Sequence, residues 1–210
     1  MQIIILGDEG TKQELNIPAI QQDIIWVNDA QQLLQYSRAD AYIDLLFDNT
    51  PERISLLQSL LPKPVIINSV IYTLTETNPS FIRINAWPTF LRANIIEASA
   101  FDESIKKHIE HLFQQLNKQM EWLPDEPGFI TPRIISMIIN EAYFTLSEGV
   151  STKEEIDIAM KLGTNYPYGP FEWSEKIGLQ NIVALLNQLS NVQKRYKPCL
   201  LLLQEASMSS

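Results

Sequence analysis

The chain has 210 residues, of which 45% are hydrophobic and 20% are charged, so it can bury a core as one large domain or two small ones. Its formal net charge is -9 at pH 7. A surface this acidic repels phosphate backbones and anionic lipids, which argues against nucleic acids and membranes as partners. A nucleotide ligand would therefore require a local basic region on the protein.

The first residues and the single cysteine indicate the cellular compartment in which the protein is expected. Residues 1–7 carry no basic side chain and only four consecutive apolar residues before the glycine, too few for a signal peptide. No apolar segment approaches the ~20 residues that span a bilayer. Cys199 has no partner for an internal disulfide and is expected to be buried as a small apolar side chain. We therefore expect a cytoplasmic protein.

The first half of the chain alternates strand-like with helix-like segments. Apolar, largely β-branched runs predict buried strands at residues 3–6, 24–27, 41–47 and 65–67, with further strands near residues 81–85 and 94–97. Helical spacing is found at residues 30–36. Another helix begins at Thr50, where a hydroxyl cap is followed by Pro51 and Glu52. This alternation predicts a parallel α/β sheet.

A long amphipathic helix is predicted over residues 102–120, packed on the sheet by its apolar face. It carries both histidines of the chain, His108 and His111. Their spacing can in principle bind a metal ion, but we interpret them as the solvated flank of the helix and predict no metal site.

The remainder of the chain is predicted to be helical. Its segments are residues 134–146, a helix opened by the capping box of residues 151–154 and ended by Gly163, and two helices over residues 171–177 and 181–189. The small, polar residues 206–210 are expected to be disordered. The Pro-Asp-Glu-Pro-Gly segment that begins at Pro124 predicts a joint between two domains, residues 1–123 and 124–210.

Short strings in the second half carry a family resemblance. They are the Pro-Gly-Phe-Ile-Thr-Pro-Arg of residues 127–133, Asn140-Glu141-Ala142, Glu148-Gly149-Val150, the Ile-Asp-Ile-Ala-Met-Lys-Leu-Gly of residues 156–163, the Tyr-Pro-Tyr-Gly-Pro-Phe-Glu of residues 166–172, Gly178-Leu179, and Arg195-Tyr196-Lys197-Pro198. In this order and at these intervals they resemble the C-terminal domain of the 3-hydroxyacyl-CoA dehydrogenases. The resemblance implies a Rossmann-like parallel sheet domain, shortened here, followed by an all-α domain.

The first device that such a dehydrogenase needs is a glycine-rich turn whose backbone N–H groups bind the pyrophosphate of NAD. Residues 7–12 read Gly-Asp-Glu-Gly-Thr-Lys, and Asp8 and Glu9 would repel a pyrophosphate. Only fifteen residues, 8–22, separate the first two predicted strands, and they include Pro18. We interpret the segment as a plain loop after an edge strand, and we expect no NAD and no other cofactor.

Two further functional residues of the family are also missing from this sequence. The family's general base is a histidine held by a glutamate. Glu97 matches the glutamate, whereas the histidine falls on Ile84 or Asn85, depending on where one gap is placed. The family also has an asparagine after the Gly-Phe turn, and this chain has Pro132 there. No catalytic residue is therefore assigned.

The resemblance also implies an acyl-CoA or acyl-group cleft between the two domains. Ser69, Asn85 and Glu97 lie near its expected lining as remnants of the family site, and Trp87 and Phe90 are candidates for its apolar wall. Each residue also has a structural interpretation: a strand-end cap for Ser69 and Asn85, a surface acid for Glu97, and core packing for Trp87.

The leading hypothesis is a 3-hydroxyacyl-CoA dehydrogenase-like protein of fatty-acid metabolism that lacks dehydrogenase activity and binds an acyl-CoA-type small molecule. Members of the family typically dimerise through the helical domain, so a homodimer is expected. One alternative is an active NAD-dependent 3-hydroxyacyl-CoA dehydrogenase with atypical residues. Another is a structural subunit whose partner protein supplies the cofactor domain.

Overall fold

The computed structural model describes residues 2–17 and 23–208, which form two compact units, Met1–Phe129 and Ile130–Ser210. The predicted joint at Pro124 lies inside the first unit. Within the described residues, the first unit is α/β and the second is all-α, as the sequence predicts. None of the described helices has both the length and the apolar character needed to cross a membrane.

The first unit is built on one sheet with the strand order β2-β1-β3-β4-β5-β6-β7. The strands are β1 Ile3–Leu6, β2 Ile24–Val27, β3 Ala41–Asp44, β4 Val65–Asn68, β5 Ile82–Ile84, β6 Ile95–Ser99 and β7 Gln119–Trp122. Neighbouring strands are parallel except for β5 and β6, which are antiparallel. Because β1, β3, β4 and β5 run in the same direction, their carboxyl ends meet at one edge of the sheet.

Helices cover both faces of this sheet. They are α1 Glu9–Leu15, α2 Pro51–Gln58, α3 Glu103–Gln115 and a 3-10 helix at Ala30–Gln35. One apolar core joins α1 and α3 to β1 through Ile3 and Ile5, and a second core joins α2 and the 3-10 helix to β1 through Ile4 and Leu6. The continuous apolar run of β1 thus has a partner on each face.

The interpretation of residues 7–12 as a plain loop after an edge strand is wrong. β1 lies in the interior of the sheet between β2 and β3, and α1 begins at Glu9. β1 and β2 are parallel and are joined by a crossover that is much shorter than an ordinary βαβ connection. Pro18, which was expected to interrupt the crossover, lies outside the described residues.

The predicted helix over residues 102–120 is too long. α3 ends at Gln115, and Asn117 adopts a left-handed conformation with φ 57, which turns the chain into β7. The Lys118 amine donates to the carbonyl oxygens of Leu91 and Ala93 at 2.6 and 2.9 Å. β7 then pairs in parallel with β6, so tertiary pairing overrides the helical pattern.

The second unit contains the helices α4 Thr131–Ser147, α5 Lys153–Thr164, α6 Pro170–Ile177, α7 Leu179–Ser190 and α8 Leu200–Met208, and a 3-10 helix at Lys194–Tyr196. The capping box of α5 pairs Thr152 with Glu155, one residue later than predicted. α5 continues past Gly163 to Thr164. The expected disorder from residue 206 is wrong for residues 206–208, which belong to α8 with Ala206 buried, and residues 209–210 lie outside the described part.

Candidate functional site

Ligands of parallel α/β sheets bind at the carboxyl edge of the strands. In the first unit this edge carries the residues that end or follow four strands: Gly7 after β1, Asp44 at the end of β3, Ser69 after β4 and Asn85 after β5. All of these positions except Asp44 are candidates from the sequence.

The N-terminus of α1 is capped by a side chain of this chain. The Asp8 carboxylate accepts a hydrogen bond from Thr11 N at 2.8 Å, and the Thr11 hydroxyl accepts one from Asp8 N at 2.9 Å. The hydrogen bond from the Thr11 backbone lowers the pKa of Asp8 below its usual value, so the carboxylate is ionised at neutral pH. An internal anion thus already lies at the start of this helix.

Gly7 is packed against an aromatic ring. A Cβ atom at Gly7 would lie 2.7 Å from the Trp26 ring and 2.7 Å from the Thr11 hydroxyl oxygen, so glycine is needed here for this close approach. The adjoining pocket, of about 390 Å³, is lined by Asp8, Glu9 and Lys12, among others. Since Lys12 pairs with Glu9 at 3.8 Å, the carboxylates outnumber the amines in this lining.

Asn85 and Glu97 form a buried pair. The antiparallel pairing of β5 and β6 places them opposite each other, and Asn85 Nδ2 donates to Glu97 Oε2 at 3.0 Å. Their exposed fractions are 3% and 9%. Ile84, the other position on which the family histidine could fall, points into the apolar core. Asn85 is therefore the residue that faces the glutamate.

Trp87 belongs to the same cluster, whereas Ser69 has its own partner. Trp87 N donates to Asn85 Oδ1 at 3.3 Å, and the Trp87 side chain is buried. The Ser69 hydroxyl donates to the carbonyl oxygen of Tyr72 at 2.7 Å, which supports the strand-end cap. Glu97 is not a surface acid, because it is buried with Asn85.

Asp44 is a buried acid that the sequence pattern did not predict. Its Oδ1 accepts a hydrogen bond from Leu46 N at 3.0 Å, and its Oδ2 lies 3.5 Å from Arg53 Nη1. Burial raises the pKa of Asp44 to about 6, although the Arg53 charge acts in the opposite direction. A lone acid inside the apolar run of residues 41–47 was the signal that could have found it.

A fully buried arginine in the first unit was also missed. Arg83 Nε lies 3.2 Å from Asp125 Oδ1, and its guanidinium donates to the carbonyl oxygens of Tyr72 and Glu126. It also lies 4.2 Å from the centre of the Phe129 ring. Arg83 thus fixes the segment around Asp125, at the end of this unit, on β5.

The string of residues 166–172 has a structural role. The Asp157 carboxylate of α5 accepts hydrogen bonds from Phe171 N and Glu172 N at 2.8 and 3.1 Å and so caps α6. A Cβ atom at Gly169 would lie 2.2 Å from the Asp157 carboxylate, so only glycine fits. Lys161 forms an ion pair with Glu172.

Two more of the strings are joined by a buried asparagine. Asn140 Nδ2 donates to the carbonyl oxygen of Lys197 at 3.0 Å, and its Oδ1 accepts from Cys199 N at 2.7 Å. Cys199 is buried, as predicted. Pro132 is buried in the first turn of α4, where a missing N–H is tolerated.

The histidines of α3 and the apolar faces of α4 and α7 concern the expected absence of a metal ion and the expected dimer. His108 and His111 are exposed on α3, and the described residues contain no group of three or more His, Cys, Asp or Glu side chains that could hold a metal ion. The apolar face of α7 is buried inside the second unit. On α4, Ile134 and Phe144 are exposed. Dimerisation stays a prediction.

Residues 128–208 match the family model described as the C-terminal domain of 3-hydroxyacyl-CoA dehydrogenase. The (S)-3-hydroxybutyryl-CoA dehydrogenase of Ralstonia eutropha has a similar fold, with a TM-score of 0.73 at 23% identity over 89% of this chain and 71% of that one. An α/β unit followed by a helical domain is therefore an arrangement that this chain shares with that dehydrogenase.

Two relatives are similar in sequence. The 3-hydroxyadipyl-CoA dehydrogenase of Escherichia coli K12 is 43% identical over 111 residues, which are 52% of this chain and 23% of that protein. The 3-hydroxybutyryl-CoA dehydrogenase of Bradyrhizobium diazoefficiens is 36% identical over 135 residues, 62% of this chain and 46% of that protein. The chain thus spans less than half the length of each. The family match itself is carried by residues 128–208, which are similar to the C-terminal domain of the 3-hydroxyacyl-CoA dehydrogenases.

Proposed function

We propose that the chain is a member of this family that binds an acyl-CoA-type ligand but does not catalyse NAD-dependent dehydrogenation. The observation that carries the proposal is the buried pair of Asn85 and Glu97. Dehydrogenation of a hydroxyl requires a group that accepts its proton as hydride leaves. A carboxamide has no basic nitrogen, so Asn85 can hold a ligand oxygen but cannot act as the base.

The residues at the start of α1 do not fit the pyrophosphate of NAD, which supports the proposal. The carboxylate of Asp8 already accepts the Thr11 N–H that a phosphate would use. The ring of Trp26 packs against Gly7, where the backbone would have to approach the phosphates. The Asp8 carboxylate opposes an anionic ligand by its charge, and the Trp26 ring opposes it by occupying the space beside Gly7.

The proposed ligand contacts come from the Asn85 cluster. Asn85 Nδ2 carries two N–H groups, of which one is directed to Glu97. The second can donate to the carbonyl oxygen of a thioester. Trp87 lies beside Asn85 and is a candidate for apolar contact with the ligand. Because the Ser69 hydroxyl already donates to the carbonyl oxygen of Tyr72, we give Ser69 a peripheral role in ligand binding.

Isothermal titration calorimetry and thermal unfolding with CoA, acetoacetyl-CoA, NAD and NADH test the proposal. We expect acetoacetyl-CoA to bind and NAD and NADH not to bind. A ligand at 100 times its Kd adds about 2.7 kcal/mol of stability, which is readily measured. Asn85→Ala should weaken acetoacetyl-CoA binding, whereas the exposed control Asn94→Ala should not.

Two results would overturn separate parts of the proposal. NADH-dependent reduction of acetoacetyl-CoA above the rate without protein would show that the chain is an active dehydrogenase. Absence of binding by every acyl-CoA, with the protein folded, would remove the ligand and leave only the loss of dehydrogenation.

A further inference from the structure

A groove runs along α4 in the helical unit. It has a volume of about 450 Å³ and is lined by Arg133, Ile134, Met137, Ile138, Glu141, Arg195 and Tyr196. From Arg133 to Glu141 the helix rises roughly 12 Å. Residues spaced by one helical turn share this face, so the apolar side chains form a continuous floor.

The floor is apolar and partly open to solvent. Ile134 is 52% exposed, although its neighbours on the buried face of α4, such as Ile135, pack inside the unit. Met137 adds a flexible, polarisable side chain that adapts to ligands of different shape. Such a floor fits an alkyl chain.

The polar residues of the groove are mostly basic, in a protein whose net charge is -9. Arg195 and Arg133 contribute two guanidinium groups, against the single carboxylate of Glu141. Arg195 lies 4.7 Å from the centre of the Tyr196 ring and donates to the Tyr196 hydroxyl at 2.6 Å. This contact holds the Arg195 side chain in place. Within residues 2–17 and 23–208, no carboxylate forms an ion pair with Arg195.

We propose that this groove binds a singly charged anionic amphiphile, namely a medium-chain carboxylate. Its head group would pair with Arg195, with Arg133 adding positive potential, because guanidinium groups recognise carboxylates through paired, charge-assisted hydrogen bonds. Its alkyl chain would lie on Ile134, Met137 and Ile138. The carboxylate of Glu141 disfavours a second negative charge on the ligand, which selects a carboxylate over a phosphate dianion.

The site lies entirely in the helical unit and does not rest on the acyl-CoA function proposed for the first unit. Calorimetric titration with decanoate, below its micelle concentration, tests it in the full-length chain. We expect saturable binding of decanoate, weaker binding of decanol and decyl phosphate, and none of decyltrimethylammonium. The Arg195→Gln variant should bind decanoate about tenfold more weakly, the loss of a charged hydrogen bond, with decanol unaffected.

Lys194→Gln is the matched control, because Lys194 is an exposed neighbouring cation outside the groove. Ile134→Asn should weaken decanoate and decanol together. Equal affinity for decanoate and decanol, or an equal loss in the Lys194→Gln and Arg195→Gln variants, would overturn the proposal. Decanoate binding that disappears as the chain self-associates would assign the groove to a second copy and would also overturn it.

Discussion

Asp44 lies at the carboxyl end of β3 with 1% of its surface exposed. Burial raises its pKa from the ordinary 3.8 of an aspartate to about 6. Because the pKa is higher in the folded state, the folded state binds the proton more tightly than the unfolded chain. The resulting stability is fully present below the unfolded pKa and is lost as pH rises through the folded pKa.

We therefore predict that Asp44→Asn changes the pH dependence of stability. Between about pH 4 and pH 7.5, the free energy of unfolding of the variant should rise relative to the wild type by about 2.5 kcal/mol, most of the effect of a shift of roughly two pKa units. Urea denaturation at both pH values measures this. Asp48→Asn, at a side chain that is 55% exposed, serves as the control. A difference that is the same at both pH values would contradict the prediction.

The close contact between Gly169 and Asp157 leads to a second prediction about the free energy of unfolding. Since a Cβ atom at Gly169 would lie 2.2 Å from the Asp157 carboxylate, we predict that Gly169→Ala lowers the free energy of unfolding by about 2–3 kcal/mol through steric overlap and loss of the α6 cap. Asp157→Ala should cost about 1 kcal/mol as a lost cap. The double variant should then lose less than the sum of the single variants, whereas additive losses would exclude the steric explanation. Gly163→Ala, where a Cβ atom meets nothing within 4 Å, is the control.

The elements that the sequence predicted well are those with a strong local signal. β1 and β2 have the predicted bounds because their apolar runs are bordered by polar residues. β7 was missed because Gln119–Trp122 is a short edge strand, and because Met120 continues the four-residue apolar spacing of Leu112 and Leu116. α8 was missed because its four leucines do not show an amphipathic period.

The Asn85 cluster was predictable only in part. The family resemblance located Glu97 and Asn85, but only the register of β5 and β6 decides between Ile84 and Asn85. The pairing of Arg83 with Asp125 joins residues far apart in the sequence, and no local pattern reports such a contact. Long-range polar contacts of this kind depend on tertiary structure.

The arginine contacts at β5 lead to a prediction at the level of elements. Arg83→Met leaves the acid Asp125, which is 8% exposed, without its cation, so we expect a loss of about 3–5 kcal/mol. Replacing Arg83 by Met and Asp125 by Leu together should cost less, because no buried charge is left unpaired. Guanidinium denaturation measures both variants. Arg92→Met, at a side chain that is 62% exposed, should change stability by less than about 0.5 kcal/mol.

At the level of the whole molecule, the two units have separate cores. The two large apolar clusters that flank the sheet consist of residues of the first unit, while α4, α6, α7 and α8 bury their own apolar residues in the second. Each unit is within the size range of independent domains.

We predict that a fragment of residues 130–210 folds without the first unit. Circular dichroism should show a helical spectrum, and thermal unfolding should be a single cooperative transition. The fragment with Leu185→Asp, a change at a fully buried position of α7, is the control and should not unfold cooperatively. A wild-type fragment that shows helix but no cooperative transition would mean that its core depends on the rest of the chain.

The short crossover between β1 and β2 bears on whether the family's cofactor binding could be regained. A point mutation at Asp8 would remove one carboxylate from the start of α1, but α1 would still have only 7 residues and Trp26 would still pack on Gly7. Recovery would require additional chain between residues 8 and 22, so that a longer helix could follow β1. Substitutions do not lengthen a chain, so amino-acid replacements between residues 8 and 22 alone would not restore a full-length βαβ connection.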